Sequence, residues 1–283
     1  MQSLTLAHLA LGTAPEATID AAADAGFGGV GIRICARHPR ETFPGPRILG
    51  NPTAALALQE RAAARGIRLS NISAYQFYPD VTWDDVAPAV ESAILLGAPI
   101  IVANGFNPDL DQFVRLFSRY CRAAHEAGIR VALEFLPYSA IRDLKAALRV
   151  LERTDAANAG LLLDALHLDR SGGTPDDIRG IGAERITFAQ LCDAKRWSGP
   201  RSDEALMAEA RAARLPAGTG DLPLFDFLDA LPAHTEIEYE VARADLANHS
   251  AGEKAHAARR DAERFMAAYA EHRRARVAQG IAQ

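Results

Sequence analysis

One pattern recurs along most of this chain: an alanine-rich, helix-like stretch, a glycine, and then a short run of β-branched residues or leucines. Clear copies are AAADAGFGGVGI, AAHEAGIRVAL and AANAGLLLDA, and five copies are marked by Gly26, Gly66, Gly97, Gly128 and Gly160. Successive markers lie 40, 31, 31 and 32 residues apart, which is the length of one βα unit. Glycine suits the end of a helix because the left-handed conformation costs it little. The pattern therefore predicts alternating helices and strands.

Eight strands are predicted between these markers. Segments such as PIIVAN and GLLLDA are continuously apolar, as expected of parallel strands that helices cover on the outside. Eight units in 283 residues, with no linker-like stretch, predict a single α/β domain over residues 1–283, folded as a (β/α)8 TIM barrel. The predicted strands are 3–9, 28–33, 67–73, 98–103, 129–135, 159–164, 186–191 and 235–241.

The charged, helix-like segment 250–280 follows the last predicted strand. We expect it to form an outer helix that packs on the barrel with a solvated face, and a partner-binding helix is the alternative.

Composition and charge exclude several classes of partner. A net charge of −5 and an isoelectric point near 5.9 provide no positive field for a nucleic-acid backbone. Three cysteines without a CxxC pair indicate neither a disulfide framework nor a zinc knuckle. No stretch reaches the roughly 20 apolar residues of a membrane span, and the N-terminus lacks a basic leader region. The sequence predicts a cytoplasmic protein that binds neither nucleic acids nor membranes.

Polar residues mark the carboxyl ends of the last four predicted strands, where the active sites of such barrels lie. Glu134 ends strand five, Asp164 ends strand six, Gln190 ends strand seven, and strand eight is rich in glutamate. Adjacent strands are about 4.8 Å apart, so these side chains can converge on one point. Converging carboxylates repel one another unless a cation lies between them. We therefore expect a site for one divalent metal ion.

Strand eight offers three glutamates, Glu236, Glu238 and Glu240, which share one face because they alternate along the strand. Proximity to the carboxyl end favours Glu240 as the ligand, with Glu238 as the alternative and Glu236 too near the opposite rim. An all-oxygen ligand set favours Mn²⁺ or Mg²⁺, with Co²⁺ or Zn²⁺ as alternatives.

Several motifs resemble those of the xylose isomerase-like TIM-barrel superfamily over essentially the whole chain: ALEF, LLLDALHLDRSGG, FAQLCDA, ARAARLPAGTGDLPL and IEYEVAR. That superfamily includes sugar isomerases, ketose 3-epimerases, inosose dehydratases, 3-dehydroshikimate dehydratases and endonuclease IV. The resemblance assigns the metal to Glu134, Asp164, Gln190 and Glu240, and implies a homodimer or homotetramer. Many epimerases of the family have His where this chain has Gln190, whereas the 3-dehydroshikimate dehydratases include members with Gln.

Five residues near the strand ends are predicted to contact substrate. His167 lies three residues beyond the aspartate of strand six, and its ordinary pKa near 6.5 suits acid–base catalysis. Arg170 is placed to orient a carboxylate or hydroxyl, although a plain surface role is an equal alternative. Arg214, in a segment similar to a family motif, Arg33, at the end of strand two, and Lys195 complete the set.

Two neighbouring features have structural interpretations. The glycines of RLPAGTGD, residues 214–221, allow backbone to approach a ligand such as a phosphate, but a simple turn is the favoured interpretation. Asp193 is predicted to hold the amide of Gln190 or the amine of Lys195 in place.

The leading interpretation is a divalent-metal-dependent isomerase or epimerase acting on a sugar, ketose or polyol-derived ketone. Glu134 and Glu240 would flank the substrate and move a proton next to its carbonyl through an enediolate. If His167 protonates a departing hydroxyl, the same site gives a dehydratase, which is the first alternative. A non-catalytic metal- or sugar-binding protein is the second. The sequence does not identify the substrate, because specificity lies in the loops. The most distinctive loop is 35–51, which we expect to be either a lid or a surface loop.

Overall fold

Eight parallel strands form a closed barrel in the computed structural model, which describes residues 4–43, 45–199 and 201–279. The strands follow chain order around the barrel, and β8 closes it by pairing with β1. The predicted (β/α)8 TIM barrel is therefore confirmed. The strands are β1 Thr5–Leu6, β2 Gly29–Arg33, β3 Arg68–Ser73, β4 Ile100–Asn104, β5 Arg130–Glu134, β6 Ala159–Asp164, β7 Ile186–Leu191 and β8 Ile237–Tyr239.

The predicted bounds of strands six and seven agree with the structure, but strands one and eight are shorter than predicted. His8 begins a short 3-10 helix instead of continuing β1, and residue 3 lies outside the described residues. Glu240 follows β8, although its backbone N–H still donates to the Leu191 carbonyl at 3.1 Å. The strand bounds were predicted from runs of apolar residues, which mark buried positions. Buried positions continue past the residues that pair with a neighbouring strand, so the predicted strands are too long.

Ten α-helices lie among the described residues: α1 Pro15–Asp24, α2 Pro52–Ala64, α3 Trp83–Val86, α4 Pro88–Leu96, α5 Leu110–Glu126, α6 Leu144–Thr154, α7 Ala165–Arg170, α8 Asp203–Ala212, α9 Leu224–Ala230 and α10 Ala251–Ala278. Gly97 ends α4 with a φ of 65°, the left-handed conformation expected of the marker glycines. Gly160 differs because it lies inside β6, where a Cβ atom would be 2.5 Å from Thr187 Oγ1. Close packing with β7, rather than a turn, requires glycine there.

The helix predicted over 250–280 is α10, which ends within the described residues at Ala278. Ser250 begins it with a reciprocal cap: its hydroxyl accepts from the Glu253 N–H, and the Glu253 carboxylate accepts from the Ser250 N–H. The helix packs against α1 on the outside of the barrel.

None of the helices in these ranges combines the length and the apolar character needed to cross a membrane.

Candidate active site

A cavity opens at the carboxyl ends of the strands, and polar side chains from most of the strands and from several of the loops and helices that follow them line it. Three of the four predicted metal ligands lie on its wall, and Asp164 lies directly behind the wall at 1% exposure. The polar and aromatic side chains around it are His8, Arg33, Arg37, Asn71, Ser73, Gln76, Asn104, Glu134, Tyr138, His167, Gln190, Arg211, Arg214, Glu238 and Glu240.

The ends of β5 and β6 bring a glutamate, an aspartate and a histidine together. One ligand atom from each of Glu134, Asp164 and His167 lies within 4.8 Å of the others. Asp164 also begins α7, since its Oδ1 accepts from the N–H groups of Leu166 and His167 at 2.7 and 3.0 Å. This cap turns the chain so that His167 Nε2 lies 3.7 Å from Glu134 Oε1. The polar sequence after the leucine run of β6 therefore builds one wall of the cavity.

Arg214 bridges two of the predicted metal ligands. Its guanidinium donates to Asp164 Oδ2 at 2.6 Å and lies 3.0 Å from Glu240 Oε2. The guanidinium is buried, and its Nε also donates to the Ala210 carbonyl at 2.7 Å, so the charge is stabilised by these carboxylates while the carbonyl fixes its orientation. One guanidinium faces four buried carboxyl groups, those of Glu134, Asp164, Glu238 and Glu240. The cavity floor thus offers more carboxyl groups than its own cation can pair.

The amide of Gln190 is oriented by β8. Its Nε2 donates to Glu238 Oε2 at 2.7 Å and to Glu240 Oε1 at 3.2 Å. Both carboxylate oxygens of Glu238 thus accept a hydrogen bond, since its Oε1 accepts from the Asn71 amide at 2.7 Å. Gln190 Oε1 is buried and has no hydrogen-bond partner within the described part of the chain. A buried acceptor without a donor is costly, and a cation at this point would satisfy it.

Burial and charge move the pKa values of these groups in opposite directions. Burial, followed by repulsion from Asp164, raises the pKa of Glu134 to about 7. Burial is the largest influence on Asp164 and raises its pKa, but the charges and hydrogen bonds of Arg214 and His167 together outweigh it and leave the pKa below its ordinary value. Burial lowers the pKa of His167 to about 4, so the imidazole is neutral at pH 7. Burial also raises the pKa of Glu240 well above its ordinary range, despite Arg214.

Glu238→Gln tests these electrostatics in metal-free protein. Burial raises the pKa of Glu238 from 4.5 to about 7, against hydrogen bonds from Gln190 and Asn71 that lower it. The fold thus favours the protonated form, so this stabilisation is complete below pH 4.5 and lost as the pH rises to about 7. An uncharged glutamine does not titrate. Between about pH 5 and pH 8, wild type should therefore lose on the order of 3 kcal/mol more free energy of unfolding than the variant loses.

Urea denaturation of wild type and variant in EDTA measures this difference. A difference that is the same at both pH values would contradict the raised pKa of Glu238.

A comparison with models of known sequence families assigns the family. Residues 19–267 match the sequence model described as the xylose isomerase-like TIM barrel. The chain belongs to this family. No curated protein sequence matches it.

Solved structures with the same fold share little sequence with this xylose isomerase-like barrel. An IolI protein with a bound zinc atom has 17% identity and a TM-score of 0.76, over 95% of this chain and 99% of that one. The probable 3-DHS dehydratase AsbF from Bacillus anthracis has 15% identity and a TM-score of 0.68, over 92% and 98%. A xylose isomerase-like TIM barrel/4-hydroxyphenylpyruvate dioxygenase fusion protein has 17% identity and a TM-score of 0.73. This chain is covered to 92% in that match but spans only 42% of the fusion protein.

The donor set of this xylose isomerase-like barrel fits one divalent cation. The unpartnered oxygen of Gln190 and the gathering of Glu134, Asp164 and Glu240 around the single Arg214 guanidinium both favour a further positive charge at the cavity floor. The Glu134, Asp164 and His167 group adds an imidazole nitrogen as a candidate ligand, which the all-oxygen prediction did not include. Carboxylate, amide and imidazole donors together suit Mn²⁺, Co²⁺ or Zn²⁺ as well as Mg²⁺.

Two predicted substrate contacts lie away from the cavity. Arg170 is buried, and its guanidinium forks onto the Glu209 carboxylate of α8 with two bonds of 2.8 Å. Lys195 is mostly exposed and donates to the Thr219 carbonyl at 2.9 Å. Neither side chain lines the cavity, because α8 holds Arg170 and the loop after α8 holds Lys195. Arg33 does line the cavity, where its Nε donates to His8 Nε2 at 3.3 Å.

Asp193 has a different role from the predicted one. Its Oδ2 accepts from the N–H groups of Gly218 and Gly220 at 3.0 and 2.8 Å, and its Oδ1 accepts from Leu222 at 3.1 Å. The glycine-rich loop after α8 therefore surrounds the chain's own carboxylate, as a turn and not as a phosphate site. By fixing this loop, Asp193 holds Arg214 in position rather than Gln190 or Lys195.

The sequence prediction omitted several residues that line the cavity. Asn104 ends β4 and donates to Glu134 Oε2 at 2.7 Å, and the strand-end rule that selected Glu134 would also have selected it. Arg37 lies in the loop after β2, and Arg211 lies near the end of α8. Neither arginine has a strand-end signal, because loops and helix ends converge only when the barrel closes.

Proposed function

We propose that this protein is a metal-dependent isomerase or epimerase that moves a proton next to the carbonyl of a hydroxy-ketone. The observation that carries the proposal is the convergence of Glu134, Asp164 and His167 on one point, with Glu240 joined to Asp164 through Arg214. Glu134, Asp164, Gln190 and Glu240 would hold the cation, as the family resemblance implies. When bound, the cation would supply positive charge beside the carbonyl oxygen of the substrate.

Two carboxyl groups on the wall are placed to move a proton. Glu134 is oriented by Asn104, which bonds its Oε2 and leaves Oε1 facing His167. Glu240 lies three strands away around the barrel and also faces the cavity. If one takes the proton from the substrate carbon and the other returns it, the product is the epimer or the isomer. The buried floor keeps water from competing for that proton.

Dehydration is the second candidate, and two observations favour it. His167 is buried and neutral, and its Nε2 lies 3.7 Å from Glu134, so it can accept the proton that Glu134 removes from the substrate and pass it to the departing hydroxyl. Gln190 stands where many epimerases of the family have histidine, and the structural neighbours include a probable 3-DHS dehydratase. The same proton abstraction then leads to elimination instead of proton return.

Proton exchange with solvent tests both candidates at their shared step. Mn²⁺-loaded protein is incubated in D₂O with ketoses, inososes or 3-dehydroshikimate, and NMR follows deuterium entering the carbon next to the carbonyl. We expect exchange with at least one compound, a loss of about 100-fold or more after EDTA treatment, and recovery with Mn²⁺. An alkene product in the same spectra identifies the dehydratase. Binding without exchange of any compound would overturn the catalytic proposal in favour of a metal- or sugar-binding protein.

A further inference from the structure

Two arginines at the cavity have no partner of opposite charge. Arg37 and Arg211 both line it, and both are partly buried. Neither forms an ion pair or a side-chain hydrogen bond with any residue in the described ranges. Most other arginines near the site are paired, as Arg170 is with Glu209 and Arg214 with Asp164. A partly desolvated guanidinium without a counter-charge is costly, so these two are candidates for an interaction with a ligand.

The two unpaired groups also act on each other. Burial, and then the charge of Arg211, lowers the pKa of Arg37. Burial, and then the charge of Arg37, lowers the pKa of Arg33 to about 10. Glu41 and Glu240 oppose the effect on Arg37 only at longer range, since neither forms an ion pair with it. All three guanidinium groups line the same cavity, and each lies close enough to a second one to lower a pKa within the group.

The loop and helix that carry these arginines are anchored independently of them. The backbone carbonyl of Arg37 accepts from the Gln76 N–H at 2.8 Å, which ties its loop to the segment after β3. Arg211 lies in the last turn of α8, whose first turn is capped by the hydroxyl of Ser202. The guanidinium groups are therefore not needed to hold the fold at this point, although their mutual repulsion acts against it.

We propose that Arg37 and Arg211, next to Arg33, bind an anionic group of the substrate, a carboxylate or a phosphate. The cavity then combines carboxyl groups suited to a cation with arginines suited to an anion. Guanidinium groups recognise carboxylate and phosphate oxygens by forked, charge-assisted hydrogen bonds. This inference rests on the proposed function and narrows its substrate to an acidic or phosphorylated hydroxy-ketone.

Two matched pairs of compounds test the anion site by calorimetry on Mn²⁺-loaded protein. D-fructose 6-phosphate is compared with D-fructose, and 3-dehydroshikimate with its methyl ester. We expect the charged member of one pair to bind at least about tenfold more tightly than the neutral member, and the pair that responds identifies phosphate or carboxylate. In Arg37→Gln/Arg211→Gln this preference should fall below about twofold. The exposed, unpaired Arg149 of α6 provides the control variant Arg149→Gln, which should keep the preference.

Thermal unfolding of the unliganded variants separates a binding role from a structural one. Arg211→Gln relieves repulsion, so its Tm should equal or exceed that of wild type, and Arg37→Lys should keep part of the anion preference. Equal binding of the charged and neutral members in wild type would overturn the proposal, as would a preference that survives in the double variant. Anion preference without proton exchange would leave this site standing while the catalytic proposal fails. Proton exchange without a preference for the charged compounds would support the catalytic proposal and overturn the anion site.

Discussion

Asp164→Asn is expected to lose the bound divalent metal and about 10³-fold or more of turnover. The carboxylate is buried at the end of β6, where Oδ2 faces Arg214 and Oδ1 caps α7. Asparagine can keep the cap through its side-chain oxygen, so the fold of α7 should survive. It lacks the negative charge that a divalent ion requires, and it leaves Arg214 paired with Glu240 alone. The effect should therefore fall on metal content rather than on folding.

Metal analysis after Mn²⁺ loading and desalting measures this result. Wild type should hold about one ion per chain, and Asp164→Asn should hold less than about a tenth of that. Glu240→Gln should behave in the same way, whereas Glu238→Gln should keep its metal, because Glu238 is occupied by Asn71 and Gln190. Asp169→Asn, on the exposed side of α7, is the control. Full metal occupancy in Asp164→Asn, with unchanged circular dichroism, would remove this residue from the ligand set.

His167→Asn is expected to keep the metal but lose turnover by about 10²- to 10⁴-fold. The imidazole lies 3.7 Å from Glu134 and 3.5 Å from the Arg214 guanidinium, with its Nδ1 buried and unpartnered. Asparagine has a similar polarity and smaller volume but cannot transfer a proton at neutral pH. The four oxygen ligands would remain, so the ion should remain too.

The same variant distinguishes two ligand sets. If the compact group of Glu134, Asp164 and His167 holds the ion, His167→Asn should lose it, and Gln190→Leu should retain it. If the set implied by the family holds the ion, the outcome is reversed. Metal content, together with the rate of proton exchange, is measured for both variants. His125→Asn, at the exposed end of α5, is the matched control.

Local chemistry accounts for most of what could be predicted. The spacing of the marker glycines, four of which lie at helix ends, predicted repeating helix–strand units, and the segments of β6 and β7 were predicted to the residue. A polar side chain directly after such a run must project at the barrel mouth, so Glu134, Gln190 and Glu240 could be placed there before any coordinates. These signals work because strand direction and side-chain alternation are properties of the chain itself.

The orientation of individual groups could not be predicted in this way. Arg170 follows the same polar stretch as His167, yet the first is held by Glu209 and only the second reaches the cavity. Asp193 follows Gln190 by three residues, yet it faces the glycine loop. In each case the partner comes from a segment more than twenty residues away. Hydrogen bonds and ion pairs with such segments decide where a loop side chain turns.

By itself, the sequence determined the barrel, the end at which the site lies, and the carboxylates and amide that line its floor, because periodicity and strand ends are local features. Only the tertiary structure decided that Arg214 bridges Asp164 and Glu240, and that Arg37 and Arg211 line one cavity without an ion-pair partner among the described residues. These contacts join loops and helices that are far apart in the chain. Their positions depend on the closure of the whole barrel, which no single segment encodes.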